Sequence, residues 1–150
     1  MVDKNNGPND CRITRGTSRE GAGGKRIVAK KKIFQGRLLR LVKLELTDAV
    51  GGWSERECIE HPGAVVVLPV FADGSILFVE QYRPAIDSSL LELPAGLREE
   101  GERPIDTGIR ELEEETGYGA EQIEEIGGFY TSPGYSDEKI ILKIGRASCR

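Results

Sequence analysis

The sequence predicts an α/β domain of the α+β kind, a mixed β-sheet packed against helices. Three observations lead there. Short apolar runs rich in valine, isoleucine and leucine recur on both sides of one longer segment. That segment, about Arg103 to Thr116, has the spacing of an amphipathic helix. No internal repeat divides the chain, and 150 residues suit one domain of ordinary size.

The elements follow in order. Residues 1–26 are rich in Gly, Asn, Ser, Thr and Arg, with almost nothing apolar, and read as a disordered basic leader. Residues 27–60 read as N-terminal strands. Val42, Leu44 and Leu46 alternate with Lys43 and Glu45 as in a half-buried strand, and Trp53 to Glu60 makes a partner. Ala64 to Leu68 is a continuous apolar run, as in a strand covered on both faces. Asp73-Gly74 separates that run from Ile76 to Val79, and Asp-Gly between two apolar runs predicts a hairpin. Leu90 to Leu93 is a short strand ended by Pro94.

A glycine-bounded loop, Gly96 to Gly101, leads into the helix. Pro104 suits its first turn, and Gly117 suits its C-terminal cap. Ile105, Ile109, Leu112 and Thr116 form one stripe expected to be buried. Gly108 inside it costs about 1 kcal/mol relative to alanine. Ile123 to Thr131 and Glu138 to Ile144 read as strands around the loop Ser132 to Ser136.

Composition narrows the class. Hydrophobic residues make up 38% and charged residues 31%, an ordinary globular mixture. No run of eighteen apolar residues exists, so no membrane-spanning helix is expected. Cys11, Cys58 and Cys149 are an odd, widely spaced set, which fits neither a disulfide framework nor a zinc cluster. With no apolar signal core at the N-terminus, a cytoplasmic protein is expected. Basic residues crowd the chain up to Arg40, but the ordinary reading is a solvated leader, and a nucleic-acid partner is not expected. From Arg98 to Glu125 eleven acidic residues stand against Arg98, Arg103 and Arg110.

The chemistry concentrates on the helix. Residues three and four apart share a helical face, so Glu111, Glu114 and Glu115 project together opposite the apolar stripe. Three carboxylates this close repel one another, and a hard divalent cation offsets the repulsion. Oxygen ligands favour Mg²⁺ or Mn²⁺ over zinc. Arg110 stands four residues before Glu114 and can hold that carboxylate in place. No Ser/His/Asp or Cys/His arrangement suggests a covalent nucleophile, and His61 and Cys58 read as packing residues.

Gly96, then Glu102, then Arg110-Glu111-Leu112-Glu113-Glu114-Glu115-Thr116-Gly117-Tyr118 resembles the Nudix box, G-x5-E-x7-R-E-U-x-E-E-x-G-U with U a bulky apolar residue. Tyr118 is aromatic where an aliphatic residue is usual, a mild departure. Glu60 to Val65, Glu80 to Arg83, Leu91 to Gly96 and Tyr130 to Glu138 resemble the ADP-ribose pyrophosphatase branch, with Pro133 beyond the box as in that group. The resemblance spans about Ile33 to Lys143, and GDP-sugar hydrolases share parts of it.

The resemblance implies a Nudix fold in which the loop-helix-loop carries the metal site. It implies Mg²⁺-dependent hydrolysis of the pyrophosphate of ADP-ribose, or of a related nucleoside diphosphate sugar such as GDP-mannose, giving AMP and ribose 5-phosphate in the first case. A Nudix-like regulator that binds without hydrolysing is the rival. Glu111, Glu115 and the Ala95 carbonyl are the implied metal ligands, with Glu114 a ligand or beside one, and Glu114, Glu115 and Arg110 the implied catalytic group. Glu102 is implied as a supporting residue. Arg83 and Glu92 face the substrate, and Ser132, Pro133 and Gly134 shape the nucleoside or ribose pocket. The N-terminal strands in this branch commonly build a homodimer.

Residues 61–143 carry this domain. Residues 144–150, Ile-Gly-Arg-Ala-Ser-Cys-Arg, do not resemble the family and match the translation of a sequencing adapter, ATC GGA AGA GCG TCG TGT AGG. They read as a non-native tail, and the natural protein is expected to continue with more strand, a loop holding the water-activating residue, and a final helix.

Overall fold

The computed structural model describes residues 24–149. The expected leader lies outside the described residues except at its end, where Arg26 already opens the first strand. Strands β1 (Arg26–Gln35), β2 (Arg40–Thr47) and β3 (Trp53–Glu60) form an antiparallel sheet in that order. The β2–β3 turn is held by Asp48, whose carboxylate accepts from the backbone N–H of Val50 at 3.0 Å and of Gly52 at 2.6 Å.

The second sheet is the core. Its order is β7 (Ala95–Leu97), β4 (Ala64–Val70), β9 (Lys139–Cys149), β8 (Tyr118–Tyr130). β4 runs parallel to β9 and antiparallel to β7, so the sheet is mixed as expected. β5 (Val79–Arg83) and β6 (Ser88–Glu92) pair as a separate hairpin. This differs from the hairpin expected at Asp73-Gly74. The turn forms there, with Phe71 N–H donating to the Ser75 carbonyl at 2.9 Å, but only Val70 and Ile76 bridge across it. β7 flanks β4 only from Ala64 to Val66, so the returning segment meets the end of β4, where Leu77 N–H donates to the Pro69 carbonyl at 3.1 Å, without extending into a ladder.

The helix α1 (Pro104–Thr116) lies against β4, β7 and β8. Gly117 ends it in the left-handed conformation, φ 73°, and donates to the Glu113 carbonyl. Its buried seam is Thr107, Gly108 and Leu112, while Ile105 and Ile109 are only half-buried. The shift from the expected stripe has a steric cause. A Cβ built on Gly108 would stand 3.0 Å from Val67 Cγ2 and 3.4 Å from Val65 Cγ1. The bare glycine lets the helix settle onto fully buried Val65 and Val67, and the contact line runs through it.

The strand expected to fail after Ile144 runs on. Ile144, Gly145 and Arg146 pair with Leu68, Pro69 and Val70, and β8 pairs with β9 as far as Tyr118 and Cys149. Ala147 is buried. Within the described residues this stretch therefore keeps the ladder it was expected to lose. No helix among the described residues is long and apolar enough to cross a membrane.

Candidate active site

The site is built where α1 crosses β7. Glu111 lays its carboxylate directly on the backbone of Gly96. A Cβ placed on Gly96 would sit 1.8 Å from Glu111 Cδ, so only glycine admits this contact. One turn on, Glu115 Oε2 accepts from the backbone N–H of Ala95 at 3.2 Å. Two helical carboxylates are thus docked on adjacent residues of one short strand. Partial burial raises the affinity of the Glu115 carboxyl for its proton, the Ala95 N–H works against that, and the Glu111 charge adds to it.

Arg110 holds the helix carboxylates. Its Nη1 donates to Glu111 Oε1 at 2.7 Å and to Glu114 Oε2 at 3.3 Å, and its Nη2 reaches the Leu97 carbonyl at 3.3 Å. Its other bonds, from Nε and Nη2, clasp Glu102 at 3.1 Å each. Glu102 also accepts from Thr107 Oγ1 at 2.8 Å and from the Glu99 N–H at 3.2 Å. Arg110 first, and then the Thr107 hydroxyl, hold its carboxyl down at about 2. Arg103, the N-cap residue, makes no side-chain cap bond, and Glu102 ties down this end of the helix instead. Glu113, the remaining glutamate of this run, is half-buried.

Among the described residues, no three His, Cys, Asp or Glu side chains converge as a ready-made metal cluster. Glu111 and Glu114 both turn to Arg110, the cation beside them. The donor chemistry nevertheless suits a hard divalent cation, because carboxylates from Glu111 and Glu115 meet the β7 backbone in a cradle kept open by Gly96.

Beside this cradle Arg83 and Glu92 form a two-bond ion pair across the β5–β6 hairpin, one bond being Nε to Oε1 at 2.8 Å. The Glu92 carboxyl is lowered chiefly by its bond to Arg83, and the charge of Glu115 also acts on Arg83. Arg83, Glu92, Ala95 and Gly96 share one wall of a cavity of about 700 Å³. Its other walls include Leu38, His61, Val66, Glu138 and Ile140. This volume is in the range of small-molecule sites.

The structure thus gathers Arg83, Glu92, Ala95, Arg110, Glu111, Glu114 and Glu115 in one region. Ser132, Pro133 and Gly134 lie outside the cavity lining. Their loop is pinned to β3 instead, with Ile59 N–H donating to the Tyr135 carbonyl at 2.7 Å. Among the polar wall residues, sequence reasoning missed two, His61 and Glu138. His61 Nδ1 accepts from Gly63 N–H at 3.2 Å and lies 3.6 Å from Glu138 Oε1. Glu138 stood inside a quoted motif, but only the fold shows that it crosses to His61.

The NUDIX domain family matches residues 60–145. The chain is 46% identical over 111 residues to an ADP-ribose pyrophosphatase of Bacillus subtilis, covering 74% of this chain and 60% of that one. It is 44% identical over 119 residues to a methanol dehydrogenase activator of Bacillus methanolicus, covering 79% and 64%. An ADP-ribose pyrophosphatase of Mycobacterium tuberculosis is 36% identical over 114 residues, covering 75% and 55%. The chain thus spans about three fifths of the length of these curated relatives. A crystal structure of an ADP compounds hydrolase superposes with a TM-score of 0.73 at 22% identity, covering 84% of this chain and 69% of that one, a likeness of fold.

Proposed function

The chain belongs to the Nudix family, and from that premise we propose that its site hydrolyses the pyrophosphate bond of ADP-ribose or a related nucleoside diphosphate sugar. With ADP-ribose the products are AMP and ribose 5-phosphate. The observation that carries this reading is the docking of Glu111 and Glu115 on Gly96 and Ala95, at the wall of a cavity that also presents Arg83. The identity to two ADP-ribose pyrophosphatases supports the substrate class.

Each side chain has a task in this reading. Glu111, Glu115 and the Ala95 carbonyl hold a divalent cation, Mg²⁺ or Mn²⁺, with Glu114 beside them. When bound, that cation neutralises phosphate charge and acidifies water. Arg110 fixes the rotamers of Glu111 and Glu114, and Glu102 fixes Arg110. Arg83 offers its guanidinium to a phosphate or a stacked ring, and Glu92 orients it. The apolar walls, Leu38, Val66 and Ile140, exclude water from around the sugar or base. The working form is a cytoplasmic homodimer joined through β1–β3, where Ile27, Val28, Ile33 and Phe34 are all at least half exposed.

A hydrolysis panel tests the reading: ADP-ribose, GDP-mannose, NADH and diadenosine polyphosphates, each with Mg²⁺ and with chelator. ADP-ribose is expected to turn over fastest, and chelator to stop it. Preference for GDP-mannose moves the substrate within the class, and no turnover of any member sinks the hydrolase reading. A second reading, a regulator that binds a nucleotide and activates a partner dehydrogenase, is favoured by the 44% identity to the methanol dehydrogenase activator. It requires the partner's rate to rise on addition of this chain.

A further inference from the structure

A second cavity, of about 310 Å³, opens at the end of the core sheet and is lined in part by Gly63, Arg98, Tyr130, Asp137 and Lys139. The sheet builds it. Arg98 N–H donates to the Gly63 carbonyl at 3.4 Å, which places Arg98 beside the start of β4. On the far side of β4 lies β9, whose Lys139 pairs with Tyr130 of β8. Gly63, φ 84°, occupies the middle, and a Cβ there would meet the Lys139 carbonyl at 3.1 Å. At Gly63 the lining of this cavity carries no side chain.

The charges on this cavity are unbalanced. Arg83, Arg103, Arg110 and Lys143 each engage a carboxylate. Arg98 and Lys139 enter no ion pair among the described residues, although the charge of Lys139 also acts on Glu125, which Lys143 already holds. Arg98 spends one Nη2 bond on the Glu102 carbonyl at 3.3 Å, and its buried Nε–H has no acceptor. A buried guanidinium N–H without a partner is costly and rare in a native fold. Asp137, the acid on this wall, already accepts from the His61 N–H at 2.8 Å. Tyr130 adds an aromatic ring that is 56% exposed.

We propose that this cavity binds a phosphate monoester that carries a ring, of nucleoside monophosphate size. The phosphate lies between Arg98 and Lys139, where a guanidinium and an ammonium offer several donors to its oxygens. The ring lies against Tyr130. The site is separate from the cavity of Arg83 and Glu92. His61 borders both, and the neighbours Lys139 and Ile140 line one each, which gives the two a shared wall.

Isothermal titration of the whole chain with AMP, ribose 5-phosphate, inorganic phosphate and adenosine tests this. AMP is expected to bind here most tightly and adenosine not at all. Arg98→Gln and Lys139→Gln should each weaken AMP at this site about tenfold, the loss of one charge-assisted contact. Arg83→Gln, in the other cavity, should leave this binding in place. Lys139 is exposed, so its variant tests the proposal even if Arg98→Gln fails to fold. Unchanged AMP affinity in Lys139→Gln overturns the site. Adenosine binding as tightly as AMP, or inorganic phosphate matching AMP, overturns the assignment of a ring-bearing monoester.

Discussion

Gly96 does for the site what no side chain can. It lets the Glu111 carboxylate rest on backbone, and a methyl group in its place would overlap that carboxylate. What the methyl meets is the far end of a flexible side chain, so the fold can accommodate Gly96→Ala by turning Glu111 away. The melting temperature should therefore barely move, while hydrolysis falls about a hundredfold, the usual cost of misplacing a group by an ångström. A melting curve beside a turnover assay checks both halves, and a large drop in melting temperature would contradict the first. Glu115→Gln keeps size and helix propensity but removes one ligand charge. Activity should fall at least about a hundredfold at saturating Mg²⁺ with the fold intact. Retention of more than half the parent rate would remove Glu115 from the site. Glu121→Gln, at an exposed position on β8, is the control and should be near neutral.

The helix meets its sheet through the seam of Thr107, Gly108 and Leu112 and is tied down by one ion cluster. Gly108→Ala should gain helix propensity of about 1 kcal/mol. The new methyl group, however, would stand 3.0 Å from Val67, which is fully buried and cannot retreat. Overpacking typically costs about 1–3 kcal/mol, so a net loss of about 1 kcal/mol is expected in denaturant melts. A gain in stability would mean that the helix-sheet contact is looser than this. Glu102 sets the acid limit of the same element. Its carboxyl falls from an ordinary value of 4.5 to about 2, held first by Arg110 and then by Thr107. A depressed value stabilises the fold above 4.5, and that contribution fades as pH falls from 4.5 toward 2. Glu102→Gln should flatten the acid limb of the stability curve across that window, which titration of the melting temperature reads directly. Periodicity alone located this helix and its glycine cap. It placed the buried stripe on Ile105, Ile109, Leu112 and Thr116, of which Leu112 alone is fully buried, because hydrophobicity counts side chains and misses a seam made by the absence of one. The tie between Glu102 and Arg110 was equally hidden, since spacing says which residues share a face but not which partner each chooses.

At the scale of the described fold, residues near in space come from distant parts of the sequence. The N-terminal sheet exposes Ile33 and Phe34, and a homodimer joined there should be split by Phe34→Asp. Sedimentation velocity decides it: the parent as a dimer and the variant as a monomer, whereas a monomeric parent would end that proposal. The box residues and the strands from Val42 to Leu68 were legible because their patterns are local. The second cavity was not, because Arg98, Tyr130 and Lys139 meet only through strand order, and the tail after Lys143 looked unable to pair until β4 and β8 were seen flanking it. That placement of β9 has a temporal side. Ala64 pairs with Ile140, and β4 touches β8 through no other strand. While the chain is being synthesised, Val65 and Val67 have no neighbour on that flank until β9 is made. Closing so long a loop costs entropy before any contact rewards it, so the sheet forms late and slowly. A ribosome stalled anywhere before β9 would present a nascent chain whose apolar strand is still bare, a substrate for chaperones rather than a half-built domain.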